Sequence, residues 1–234
     1  MADETSTPHV LRTTEGDLAL HEYNLRLDGR AWRVLHTGAI LSSEDEARYL
    51  SGEGSRLPYG IVLWPAAIAL AHEIASRPMK GLRVLELGAG TGLPGIVAAS
   101  FGADVTQTDR HEVGLHICKQ NAERNGLTTI QHRAADWTDW QVADTYDVIL
   151  GSDILYSDDY HSHLRAIFAK NLAAGGRVLL SDPFRAPSIA FLESLEGEGW
   201  AVSMSKWTVG VAPPERAVGV FELTREHEVR GRNP

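Results

Sequence analysis

The sequence predicts an α/β fold: a doubly wound sheet of seven strands, mostly parallel, ending in an antiparallel hairpin and preceded by a small N-terminal β-hairpin extension. Three observations predict it. The apolar run Arg83–Leu87 turns through Gly88, Gly90, Gly92 and Gly95 and then continues as a helix through Ile96, Val97 and Ala98. Strand-like runs alternate with helix-periodic segments five times, and such alternation gives a parallel sheet with helices on both faces. The last two strand-like runs, Ala201–Val209 and Ala217–Thr224, are joined only by Gly210–Arg216. That link is too short for a crossover helix, so the pair is antiparallel.

Taken in order, Met1 to Glu15 is polar and expected to fray. Leu18 to Leu41 alternates about Asp28-Gly29, a hairpin signal. Ser42–Arg56 is charged and Gly-rich and is expected to be a loop. Pro65 opens a helix through Ile68, Leu70 and Ile74 that Arg77-Pro78 stops. After the Arg83–Leu87 strand and its helix, Ala103–Asp109 reads as a strand and His111–Asn125 as a helix closed by Asn125-Gly126. Thr129–Asp136 and Tyr146–Asp153 are the next strands. Ser157 is an N-cap for a helix carrying Tyr160, Leu164, Ile167 and Phe168, expected to end at Ala174-Gly175-Gly176. Arg177–Pro183 is a strand, Pro187–Glu198 a helix, and Arg225–Pro234 a charged tail. The expected division is residues 1–56 as tail, hairpin and loop, 57–226 as the main domain, and 227–234 as a polar tail.

Composition narrows the function. Net charge is −9, from 22 basic and 31 acidic residues, which disfavours a nucleic-acid backbone as partner. The one cysteine, Cys118, allows no internal disulfide and is expected to be a small buried residue. The chain opens on acidic and polar residues, and no leader is expected. Its most apolar window, Ile61–Ala75, is interrupted by Pro65, His72 and Glu73 and is too short to span a bilayer. A cytoplasmic monomer with no membrane or nucleic-acid partner is expected. His161 and His163 are expected at the surface, with no metal.

In an open α/β sheet, ligands bind outside the carboxyl ends of the strands, at the point where strand order reverses. Those ends carry Glu86 and Gly88, Asp109, Asp136-Trp137, Ser152-Asp153 and Asp182. Gly90-x-Gly92-x-x-Gly95 matches a dinucleotide fingerprint, with Asp109 at ribose-binding distance downstream. A nicotinamide cofactor is therefore one reading. Yet the first glycine after the strand is Gly88, and the turn reads better as Glu-x-Gly-x-Gly-x-Gly: Glu86, Gly88, Gly90, Gly92.

That motif resembles the first motif of class I S-adenosylmethionine (SAM) methyltransferases, a Rossmann-like fold whose sheet closes with the same antiparallel hairpin. The resemblance implies that Glu86, Gly88, Gly90 and Gly92 pass the methionine part of the cofactor. It also implies that Asp109, followed by Arg110, accepts from both ribose hydroxyls, and that Asp136 and Trp137 hold the adenine. Ser152-Asp153-Ile154-Leu155-Tyr156 has the form Asp-x-x-Tyr. With Leu63-Trp64-Pro65-Ala66 and Leu85–Gly92, it resembles the seven-β-strand protein lysine methyltransferases, often grouped with nicotinamide N-methyltransferase-like proteins. Carried over, Asp153 and Tyr156 shape the acceptor pocket, while Trp64 and Ser152 touch SAM. Ser181-Asp182-Pro183-Phe184 is read as a strand-ending turn rather than as the proline-rich segment of amino-methylating DNA enzymes.

The expected activity is methyl transfer to a protein lysine, leaving S-adenosyl-L-homocysteine. A small-molecule N- or O-methyltransferase is the alternative, and a non-catalytic SAM-binding module is a third reading. A lysine amine titrates near pH 10.4, so it must reach the site neutral. A carboxylate beside it raises its pKa. Asp153 is therefore expected to orient the amine rather than act as a strong base.

Overall fold

A computed structural model of the chain describes residues 9–13, 16–38, 61–209 and 216–225. The Ser42–Arg56 loop, most of the Gly210–Arg216 link, the first eight residues and the tail from 226 lie outside the described residues. In chain order the elements are β1 (His9–Thr13), β2 (Gly16–Leu27), β3 (Arg30–His36), α1 (Pro65–Ala75), β4 (Arg83–Leu87), α2 (Leu93–Ser100), β5 (Asp104–Asp109) and α3 (Glu112–Arg124). They continue with β6 (Gln131–Ala134), β7 (Tyr146–Ser152), α4 (His161–Asn171), β8 (Leu172–Asp182), α5 (Ala186–Glu196), β9 (Trp200–Val209) and β10 (Arg216–Arg225).

The main sheet runs β6-β5-β4-β7-β8-β10-β9. Strands β4 to β8 pair in parallel, and β10 pairs antiparallel with both β8 and β9. The chain therefore steps outward from β4 through β5 to β6 and returns on the other side of β4 as β7. The reversal lies between β4 and β7, and the carboxyl ends of those strands are where an open α/β sheet takes its ligand. One face of the sheet is packed by α1 and α2 with Leu25, Trp32 and Val34 of the N-terminal strands. The other is packed by Leu164, Ile167 and Phe168 of α4 and by Phe191, Leu192 and Leu195 of α5.

The N-terminal extension is a three-stranded antiparallel sheet, not a hairpin alone. The β2–β3 turn is as expected, with Asp28 at φ 48° and Gly29 at φ 79° supplying the left-handed pair that a tight hairpin needs. Part of the polar start, however, is ordered as β1, in register with β2 from His9↔Leu20 to Thr13↔Gly16. Leu11 is the reason. It is buried against Leu20, Leu35 and Ile117.

A second difference concerns the end of α4, which stops at Asn171 rather than at the glycines. Asn171 is fully buried, donates to the carbonyls of Val142 (3.1 Å) and Asp144 (2.7 Å), and accepts from Trp140 Nε1 (2.8 Å). These bonds tie the helix end to the β6–β7 connection, and the chain enters β8 at once. Gly175 and Gly176 serve an irregularity in the β7–β8 pairing, where a Cβ on Gly176 would come within 2.9 Å of the Ala173 and Asp147 carbonyls.

Candidate active site

The glycine turn is built from β4 upward. Gly88, Gly90 and Gly92 all have positive φ, at 60°, 55° and 76°. At Gly88 a side chain would be excluded twice, because a Cβ would also sit 3.0 Å from Trp137 Cζ2 and 3.3 Å from Ile154 Cγ2. The turn thus offers bare backbone at the carboxyl end of β4, with the Trp137 ring lying against it.

Beneath the turn, Glu86 is almost wholly buried. Its Oε2 accepts from the Gly95 N–H in the first turn of α2 (3.1 Å) and from Gln107 Nε2 (2.7 Å). Burial pushes its pKa up to about 8, against those two hydrogen bonds. Its Oε1 and the Oε1 of Gln107 are buried without partners. Sequence reasoning expected Glu86 at the cofactor. The structure places its carboxyl group under the turn, where it holds α2.

Asp109 ends β5, and its carboxylate reaches the turn. Oδ2 accepts from the Gly90 N–H (3.1 Å) and Oδ1 from the His111 N–H (2.9 Å). Each oxygen keeps a further lone pair for a ligand hydroxyl. Gly114 stands behind it, since a Cβ there would press within 3.2 Å of the carboxyl carbon. Arg110 is exposed and donates to Tyr160 Oη (3.1 Å), a bond that helps hold its pKa above the usual value.

Asp136 follows β6 in an Asx turn, with Oδ1 accepting from the N–H (2.8 Å) and hydroxyl (2.7 Å) of Thr138. Those bonds lower its pKa. Trp137, Tyr160 and Tyr156 form a chain of edge-on rings, with centroids 5.4 Å and 5.8 Å apart. Tyr156 is half exposed, and partial burial raises its pKa, so the phenol keeps its proton at neutral pH. The structure therefore brings Gly88, Trp137, Tyr156 and Arg110 into one surface through Ile154 and Tyr160. The sequence pattern marks Tyr160 only as part of a helix face.

Asp153 sits just past β7 at φ 58°, left-handed for a non-glycine residue. Its N–H donates to the Ser181 carbonyl (2.8 Å), while the Ser181 hydroxyl donates to the Ala66 carbonyl (2.8 Å) in α1. One serine so links the end of β7 to the start of α1, where half-buried Trp64 is the N-cap. Ser152 is half-buried at the end of β7, opposite Ser181.

The Asp153 carboxylate is ion-paired with Arg185, which also reaches Asp182 Oδ2 (3.2 Å). Asp182 has no exposed side chain and accepts in turn from the Arg185 N–H (2.7 Å) and the Ser188 hydroxyl (2.7 Å). Sequence reasoning missed Arg185. The strand-ending turn Ser181–Phe184 was the available signal, because the residue after such a turn points back over the strand ends. His161, expected at the surface, is half-buried with its ring 4.5 Å from that of Phe191. Cys118 is buried as expected, and its thiol also donates to the Gly90 carbonyl (3.0 Å).

A family model described as "Lysine methyltransferase" matches residues 49–197. Protein N-lysine methyltransferase METTL21A of Mus musculus is 40% identical over 183 residues, covering 74% of this chain and 81% of that protein. Histone-arginine methyltransferase METTL23 of Rattus norvegicus is 38% identical over 119 residues, covering 47% of this chain and 53% of that protein. Against the first curated relatives, the chain spans from about half to under two thirds of their length. Among solved structures, a methyltransferase from Pyrococcus furiosus aligns with a TM-score of 0.55 at 23% identity, covering 77% of this chain and 98% of that one; at that identity it speaks to the fold alone. With the glycine turn, the strand order and the matched span in agreement, the chain belongs to the lysine methyltransferase family of class I SAM-dependent methyltransferases.

Proposed function

We propose that this chain transfers a methyl group from SAM to a protein side chain, and that the acceptor is a lysine amine. The observation that supports this most is the placement of Asp153 just past β7, the strand paired with β4, and of Tyr156 three residues on, linked through the Tyr160 and Trp137 rings to Gly88, in a chain of this family. The residues around the turn fit the cofactor. Positive-φ glycines leave the backbone open, Asp109 retains acceptor capacity, and the Trp137 ring flanks Gly88.

In this reading the backbone at Gly88 and Gly90 receives the methionine part, Asp109 with Arg110 the ribose, and Asp136 with Trp137 the adenine. Trp64 and Ser152 close the remaining sides, and Glu86 supports the turn from below. When bound, SAM supplies a methyl group already activated by its sulfonium. The chain must then deliver a neutral nucleophile in line and exclude water. Tyr156 and Tyr160 wall the approach, and Asp153 guides the incoming ammonium. The amine loses its proton to water before it is enclosed, because a carboxylate beside it favours the charged form. Net charge −9 suits a basic protein segment as partner.

The test is transfer of labelled methyl from SAM into a protein extract, followed by acid hydrolysis and chromatography. Labelled methyl-lysine is the expected result. Label confined to extractable metabolites would move the assignment to a small-molecule acceptor. Labelled methyl-arginine would favour a second reading, motivated by the 38% identity to the rat histone-arginine enzyme.

A further inference from the structure

We propose that Asn121 couples the N-terminal sheet to the glycine turn, so that docking of β3 is part of the cofactor site. The proposal rests on the reading that this turn receives SAM. β3 is an edge strand of its three-stranded sheet, and its outward backbone groups need partners. Helix α3 supplies them with Asn121 in its last turn and Asn125 at its C-cap. Asn125 Oδ1 accepts from the Arg33 N–H (3.0 Å) while its Nδ2 donates to the Arg33 carbonyl (2.7 Å). Asn121 does the same for Leu35, at 2.7 Å and 3.1 Å.

The spacing matches because four helical residues rise about 6 Å and two strand residues about 6.6 Å. Each side-chain amide thus stands in for one peptide of a missing neighbouring strand. The two asparagines differ in where the second amide hydrogen goes. That of Asn125 returns to its own helix, to the Asn121 carbonyl (2.7 Å). That of Asn121 goes to the Thr91 carbonyl inside the glycine turn (2.9 Å).

Asn121 is fully buried, so no solvent can replace a lost bond without rearrangement. One helical turn earlier, the Cys118 thiol holds the Gly90 carbonyl. The face of α3 that reads the β3 backbone therefore also fixes two consecutive peptide planes of the turn. Cofactor binding at the turn and docking of β3 are then linked, and linkage is reciprocal.

Hydrogen exchange and calorimetry of the whole chain, with S-adenosylhomocysteine as the probe, test this. In the wild-type protein the ligand is expected to slow exchange of the β3 amides, Arg33 and Leu35 among them, as well as those of the turn. Slowing confined to the turn would overturn the coupling. Asn121→Ala is expected to weaken binding roughly tenfold, the equivalent of about one hydrogen bond, and Asn125→Ala by less than about twofold. Equal losses in the two variants would reduce Asn121 to a structural clamp and overturn the proposal. If Asn121→Ala does not fold, the wild-type exchange result decides. Absence of any binding heat with the wild type would instead sink the cofactor reading, and the coupling with it.

Discussion

Arg185 lies with its guanidinium on the carboxylate of Asp153, and the two side chains face each other from consecutive strand ends of β7 and β8. The carboxylate that meets the acceptor in the proposed reaction is thus already partly compensated, by a guanidinium that it shares with Asp182. Arg185 is in turn held by Asp182, which has no solvent exposure. The arrangement answers a chemical difficulty. An uncompensated carboxylate at this place would stabilise a lysine ammonium and keep the nucleophile protonated.

Replacing Arg185 with Gln is therefore expected to strengthen the pull of Asp153 on the ammonium. The acid limb of the pH–rate profile for lysine methylation should move to higher pH by roughly one unit. Affinity for S-adenosylhomocysteine should stay within about twofold, because the described bonds of Arg185 go to Asp153 and Asp182 rather than to the glycine turn. An unmoved acid limb with ordinary turnover would remove Arg185 from this role.

Asp153 itself is tested with Asn rather than Ala. Its φ of 58° is a conformation that Asn adopts readily and Ala does not, so Asn removes charge without adding backbone strain. Asp153→Asn is expected to lower methyl transfer by about a hundredfold, the scale of a misplaced nucleophile, with cofactor affinity within a few-fold. Isothermal titration and single-turnover transfer, measured side by side, separate the two. Loss of cofactor binding in equal measure would show that Asp153 belongs to the SAM site instead.

Much of this arrangement was legible in the sequence, and the exceptions share a cause. Gly88, Asp109 and Asp153 announce themselves locally, since each closes an apolar strand with a residue that such a strand does not need. Arg185 does not. It meets Asp153 across 32 residues through the β7–β8 register that sets Ser152 opposite Ser181, and no local pattern encodes that register. β1 was hidden because one buried residue, Leu11, holds it, and two adjacent apolar side chains, Val10 and Leu11, in a polar segment give no period to read. Gly175-Gly176 resembles a helix stop, but the buried bonds of Asn171 turn the chain before it.

Glu86 predicts a particular dependence of stability on pH. Its pKa in the folded protein is about 8, above the ordinary 4.5, because burial disfavours the charged form. Between those values the unfolded chain ionises Glu86 while the folded one does not. The contribution of this group to stability is thus complete below pH 4.5 and is lost as pH rises towards and through 8. Glu86→Gln keeps an acceptor for Gly95 and Gln107 but cannot ionise. It is expected to raise the melting temperature relative to wild type at pH 8 more than at pH 5. A difference between the two proteins that does not change with pH would mean that Glu86 is charged in the native state.

Gly88→Ala examines the turn from its outer side. The substitution sets an L-residue at φ 60°, which costs about 1–2 kcal/mol by backbone sterics alone. It also drives a methyl group to 3.0 Å from Trp137 and 3.3 Å from Ile154. Trp137 can relieve that contact only by moving away from the turn, since Ile154 is packed in the core beneath the α4–α5 face. The variant is expected to fold with a lowered melting temperature and to lose affinity for S-adenosylhomocysteine by more than its stability loss explains. The check is calorimetric titration well below the melting transition, with indole fluorescence read in parallel. Weakened binding accompanied by an altered Trp signal would identify the Trp137–Gly88 contact as one wall of the cofactor groove, and unchanged affinity would place that wall elsewhere.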